Sequence, residues 1–178
     1  MKGKLTAVAF IAAMGISASV LAEDGKINFT GNIIEAGCQV NSSVSSPMTV
    51  KLGDVAKTAF AAAGDTAANT KFTLVLSGCP EDLKGKPVTV KYSGTPDTNN
   101  SDYLQLTGYG TTGVASGVAV QLLNGSGKEL PLGSDSETKT VDAKSDTNLD
   151  FFARYIATSD TVGVGTANST VNFTLSYN

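Results

Sequence analysis

From Val171 to Asn178 apolar and polar residues alternate without a break. Val171, Phe173, Leu175 and Tyr177 stand on one phase, Asn172, Thr174, Ser176 and Asn178 on the other. A period of two with one apolar face predicts a β-strand buried on one side. No turn or further strand follows it in the sequence, so its outer edge is expected to lack a partner from that side. An apolar strand left at a sheet edge invites aggregation unless something covers it. The candidate cover lies at the other end of the chain.

That end opens with a segment expected to be removed. Lys2 and Lys4 precede an apolar run from Leu5 to Val20, and Val20-Leu21-Ala22 places small or modest residues at a peptidase site. The pattern predicts a signal peptide over residues 1–22, cleaved after Ala22. The alternative is a retained anchor, but the apolar run is short for a span and no basic stop-transfer flank follows. Loss of 22 from 178 residues leaves 156, enough for one domain with a real core. Without Lys2 and Lys4 the 13 basic and 16 acidic residues become a net charge of −5. That balance argues against nucleic acid or an anionic membrane surface as a partner.

Two cysteines remain, Cys38 and Cys79. In an exported chain an even pair reads first as a disulfide. Its loop of 41 residue steps would stabilise the fold by roughly 3–4 kcal/mol on the chain-entropy model. A metal pair and a reactive thiol are the alternatives; both are disfavoured, because the chain has no histidine and neither cysteine sits in a CxxC pair. The missing histidine also excludes Ser-His-Asp and Cys-His catalysis and thins the possible zinc and copper sites. Asp and Glu are scattered through turn-like sequence with no pairing that stands out. No catalytic residue, metal or cofactor is expected, and the chain reads as a non-enzyme. Arg154, the single arginine, lies in an apolar run and is expected at a sheet rim or in an ion pair.

Between the ends, short β-type runs are separated by Gly and small polar residues. Ile27, Phe29, Gly31 and Ile33 alternate in KINFTGNI and predict a first strand with its own apolar face. Cys38-Gln39-Val40 continues into a second piece. Asp54–Ala63 is Ala-rich and predicts a short helical turn stopped by Gly64. Strands are predicted at Lys71–Cys79, Pro87–Tyr92, Gly117–Leu123 and Leu149–Ala157, with an edge strand at Tyr103–Leu106 and a polar hairpin over Ser134–Asp142. Ser93–Asp102 and Asn124-Gly125 carry turn chemistry, and Val162–Gly165 is a Gly-rich turn into the last strand. Seven or eight strands with no long helix predict an antiparallel, two-layered, immunoglobulin-like sandwich.

The alternating segments at the two ends can then pair in either of two ways. They pair within one molecule and finish an ordinary sandwich, or each molecule offers its first strand to the next. Periodicity alone favours the first.

Several motifs in fixed order bear on that choice: GKINFTGNI, LGDV at Leu52–Val55, FTLVLSGC ending at Cys79, GVAVQLL and FFARYIAT. To these add a penultimate Tyr177 and Gly165 at the fourteenth place from the end. Together they resemble a structural pilin of the chaperone–usher pathway, close to the type 1 fimbrial major-subunit group, over essentially the whole mature chain. The resemblance implies an immunoglobulin-like pilin fold lacking its final strand and completed by donor-strand exchange, hence the pairing between molecules. It implies a donor extension over residues 23–37 and a pilin domain over 38–178. Ile27, Phe29, Gly31 and Ile33 would enter successive pockets of a neighbour, with Gly31 at a shallow part of the groove. Gly165, Val171, Phe173, Leu175, Tyr177 and Asn178 would serve the acceptor groove and chaperone recognition, the Asn178 carboxylate meeting basic residues of the chaperone.

The implied partners are neighbouring pilin subunits, a periplasmic pilus chaperone, an outer-membrane usher, and adaptor or tip adhesin subunits. The implied location is the cell surface, reached through the periplasm. The function expected is a shaft subunit of an adhesive fimbria. An adaptor or tip subunit is the alternative, then a free secreted ligand-binding sandwich, which the absence of Trp disfavours.

Overall fold

The computed structural model describes residues 27–31, 33 and 37–178. The predicted signal peptide and parts of the predicted extension (residues 23–26, 32 and 34–36) lie outside the described residues. The chain divides into two units, Met1–Ile33 and Ile34–Asn178.

In the first unit, residues 27–31 and 33 adopt no regular secondary structure. The side chains of Ile27, Phe29 and Ile33 are exposed at 79, 92 and 104%. The strand expected here is therefore absent among the described residues. The reason is physical: alternation selects a face, but a strand also needs a partner for its N–H and C=O groups.

The second unit contains seven strands among its described residues: β1 (Gln39–Val40), β2 (Thr66–Ser77), β3 (Pro87–Ser93), β4 (Val118–Asn124), β5 (Lys139–Thr140), β6 (Thr147–Ala157) and β7 (Asn172–Tyr177). They form a four-stranded sheet in the order β1-β2-β6-β4 and a three-stranded sheet in the order β5-β3-β7. Every ladder is antiparallel. Alternation sends Leu74, Leu76, Leu122, Leu149 and Phe151 of one sheet and Val88, Val90 and Tyr92 of the other into a shared core. The outcome is the expected all-β, immunoglobulin-like sandwich. Cys38 and Cys79 are joined in a disulfide, which fastens the start of β1 beside the end of β2, where Gln39 pairs with Ser77.

Four local expectations change. The helical turn predicted over 54–63 shrinks to a single 3-10 turn at Lys57–Ala59, ahead of Gly64 with φ of 93°. The polar hairpin at 134–142 contributes only the two-residue β5. The edge strand at Tyr103–Leu106 is replaced by two isolated bridges at Leu104, one to Pro96 and one to Val120, with which it exchanges both backbone bonds at 2.8 and 3.0 Å. The next amides turn elsewhere, Gln105 to Thr95 and Thr107 to Asn168, so no ladder builds up. Arg154 donates from Nε to the Oε1 of buried Gln121 at 2.7 Å. The two face each other across β4 and β6, so Arg154 lies within a ladder and bonds a neutral amide, where the sequence predicts a sheet rim or an ion pair.

A groove beside an unfinished sheet edge

The alternation that predicts β7 also places it. β7 pairs with β3 along one side, from Val88↔Tyr177 to Ser93↔Asn172. Its other side has no ladder partner among the described residues. The burial contrast across this pair is large. On β3 the inward residues Val88, Val90 and Tyr92 are at most 1% exposed. Their counterparts Leu175 and Phe173, with Val171 and Tyr177, are only half-buried although they lie on the same face. β3 lies between two strands and β7 at an edge, so the half-exposed row faces open space on its free side.

Beside β7 lies a groove of about 1050 Å³. Leu74, Val120, Leu122 and Ala153 form part of its floor, with Tyr92 and Phe173 on the β3–β7 side. One wall is the segment 47–55, the other the segment 162–171. The 47–55 wall takes part in no backbone–backbone hydrogen bond among the described residues. Open main-chain groups therefore lie along the 47–55 wall and along the free edge of β7, an arrangement an extended segment can complete.

The 162–171 wall is laced to the rest of the domain. Gly163 and Ser116 exchange backbone bonds at 2.9 and 3.2 Å, Ala115 donates to Thr166 at 3.0 Å, and Thr166 donates to Gly113 at 2.8 Å. Gly165 sits inside this lacing. A Cβ there would come within 2.5 Å of Ala115 N and Val114 C and 2.7 Å of Gly113 O. Only a residue without a side chain permits two main chains to approach so closely. The Tyr155 hydroxyl donates to Ala167 O at 3.0 Å and holds the same wall from below.

At the far end of β7 the Tyr177 ring lies against Gly37, and its hydroxyl accepts a hydrogen bond from the Cys38 amide at 3.3 Å. Asn178 is exposed, and its amide donates to Pro87 O at 3.0 Å. Burial pushes the Tyr177 phenol up, and the bond from Cys38 opposes that shift.

Of the residues singled out in the sequence, Gly165, Val171 and Phe173 meet in the groove lining. Leu175 and Tyr177 continue the same face beyond it. Ile27, Phe29 and Ile33 are exposed in the first unit. Two contributors escaped the sequence reading. Leu52–Val55 stands in the sequence only as a motif, and its segment is a wall of the groove. Tyr92 stands in the sequence as one more strand residue, yet it reaches the groove and its hydroxyl has no partner among the described residues. Its phase with Val88 and Val90 was visible, its orphan hydroxyl was not. Among the described residues no cluster of metal-ligating side chains occurs.

Residues 27–178 match a family model described as Fimbrial protein. The chain is 33% identical over 178 residues to Long polar fimbria protein A of Salmonella typhimurium, a match covering 99% of this chain and 97% of that one. Among solved structures, an antigen and type I fimbria protein of Burkholderia pseudomallei is 38% identical, with a TM-score of 0.60 over 85% of this chain and 96% of the other. The P pilus rod subunit PapA is 20% identical, with a TM-score of 0.62 over 80% of this chain and 100% of the other. At that identity PapA speaks to the fold alone.

Proposed function

The chain belongs to the fimbrial protein family, and on that premise we propose that it is a shaft-forming structural subunit of an adhesive surface fimbria. It is non-catalytic and polymerises by donor-strand exchange. A periplasmic chaperone and an outer-membrane usher handle it on the way to the cell surface.

The observation that carries this reading is the half-buried row on β7 beside an open groove. The same chain contains a second alternating segment, Ile27 to Ile33, whose large apolar side chains are exposed. Burying Ile27, Phe29 and Ile33 in a neighbour would contribute about 5–9 kcal/mol. Each ladder bond adds roughly 1 kcal/mol, and the ordering of the extension offsets part of the sum.

The position of Cys38 gives the contact its direction. The extension leaves the domain beside Tyr177, at the end of β7. A donor running antiparallel to β7 brings its own Cys38 end to the opposite pole, near Val171. The neighbour then sits at one pole and the outgoing extension at the other. Such a contact is head-to-tail and does not close, so it generates a filament. In this register Ile33 faces Val171, Gly31 faces Phe173, Phe29 faces Leu175 and Ile27 faces Tyr177.

An adaptor subunit would need the same groove and extension. What favours the shaft is the set of motifs that resembles the type 1 fimbrial major-subunit group. The test is assembly of the purified chain alone. Homopolymeric fibres that vanish on deletion of residues 23–34 support the shaft reading. Assembly only with a different subunit would make it an adaptor, and fibres that survive the deletion would overturn donor-strand exchange.

A further inference from the structure

Tyr92 lies on the groove and is 1% exposed. Its ring is wedged among Phe72, Phe151 and Phe173, with centroids 6.4, 5.3 and 6.4 Å away. The hydroxyl oxygen is buried without a hydrogen-bond partner among the described residues. Burial also keeps the phenol protonated far beyond neutral pH, so the group is a standing O–H donor.

A buried phenol ordinarily finds a partner. Phenylalanine would fill the same space among the same rings with no orphan donor. The hydroxyl therefore points to an acceptor that the empty groove does not hold. Tyr92 stands in register with Phe173, so a strand added to the free edge of β7 places its next inward position at the same level. Aromatic rings already crowd that level. Of the four inward donor residues, Gly31 alone brings no side chain to it.

We infer that Tyr92 is a specificity-determining residue of the groove, whose hydroxyl takes the space left under a neighbour's Gly31 and donates to the donor main chain there, directly or through one water. The inference rests on the donor-strand reading above and adds to it a polar check on register. A donor shifted by two residues would set Phe29 or Ile33 against the hydroxyl, which costs both space and a hydrogen bond. Tyr92 thus rejects a slipped neighbour where apolar pockets alone discriminate weakly.

The test is a double-mutant cycle on fibres of the full chain. Subunit release in guanidinium chloride is timed for the wild type, Tyr92→Phe, Gly31→Ala and the double variant. Tyr92→Phe preserves ring and volume, and circular dichroism checks its fold. It is expected to release subunits about fivefold faster. Gly31→Ala should also speed release, and the double variant should release more slowly than the product of the single effects predicts, because the methyl group occupies space the hydroxyl has vacated. Single effects that multiply, or a Tyr92→Phe fibre as durable as wild type, would overturn the role of Tyr92. Fibres that form from a chain lacking residues 23–34 would instead overturn the donor-strand reading beneath it.

Discussion

The backbone amide of Cys38 donates to the hydroxyl of Tyr177, 3.3 Å away and 139 residues later in the chain. With the Cys38–Cys79 disulfide, this bond fixes where the N-terminal extension leaves the sandwich. Tyr177→Phe removes the bond and keeps the ring against Gly37. It is expected to cost about 1 kcal/mol. Tyr177→Ala also loses the ring and should cost about 2 kcal/mol or more. Denaturant midpoints of the assembled protein check both; a Phe variant as destabilised as the Ala variant would mean that the bond, not the ring, holds this corner.

Tyr92, Tyr103, Tyr155 and Tyr177 all have their phenols pushed up by burial, with added help from Glu129 at Tyr103 and Asp54 at Tyr155. A group that holds its proton more tightly when folded stabilises the fold fully below its ordinary pKa and ceases to do so above the folded value. Stability is therefore expected to hold from neutral pH to about pH 10 and to fall beyond it. Asp150 is shifted the other way, first by the Thr73 hydroxyl and then by Lys71, and Asp142 by the amides of Lys144 and Ser145. Their contribution is present above the ordinary carboxylate value of 3.8 and is lost as the pH falls through the lower folded one. Midpoints measured from pH 2 to 12 check both arms, and a curve flat to pH 12 would contradict the alkaline one.

Much of this was legible because it is local. Val88, Val90 and Tyr92 alternate and form β3; Leu149, Phe151 and Ala153 alternate and line β6. Phe173, Leu175 and Tyr177 alternate and form β7, whose free side shows only in the strand order. Tyr103–Leu106 reads as an edge strand, yet its backbone partners are scattered: Leu104 bonds Val120, Gln105 bonds Thr95, and Thr107 just beyond bonds Asn168, which leaves no trace in periodicity. The 47–55 wall has no alternation and makes no ladder, so its place beside the groove follows only from packing. The extension illustrates the converse. Ile27 to Ile33 has the pattern of a strand, but pattern alone supplies no partner.

Gly165 offers a separate test of the groove wall. Its α-carbon is pressed so closely on Val114 and Ala115 that a methyl group would overlap their main chain. Neither backbone can yield without breaking the bonds between Ala115, Thr166 and Gly113. Gly165→Ala is expected to destabilise by about 2–3 kcal/mol and to distort the wall before β7. The checks are the level of exported subunit and the yield of polymer. An Ala variant with normal yield would mean that the wall is softer than its packing indicates.

The register proposed between neighbours is directly testable, since strand addition leaves few alternatives. The inward period is two, so a slip of one residue would turn Ile27, Phe29 and Ile33 to solvent and forfeit their burial. A slip of two keeps the faces but moves Gly31 away from Phe173 and drives a large side chain into the aromatic level. The register with Gly31 opposite Phe173 should therefore dominate. In it, cysteines replacing Phe29 and Leu175 lie directly opposite one another, within reach of a disulfide. Fibres of the Phe29→Cys, Leu175→Cys double variant are expected to resist denaturant until reduced and to run as covalent multimers. Pairing Phe29→Cys with Val171→Cys, offset by four residues along β7, should leave monomers. Efficient linkage in the offset pair and none in the opposed pair would shift the register and, with it, the partner assigned to Tyr92.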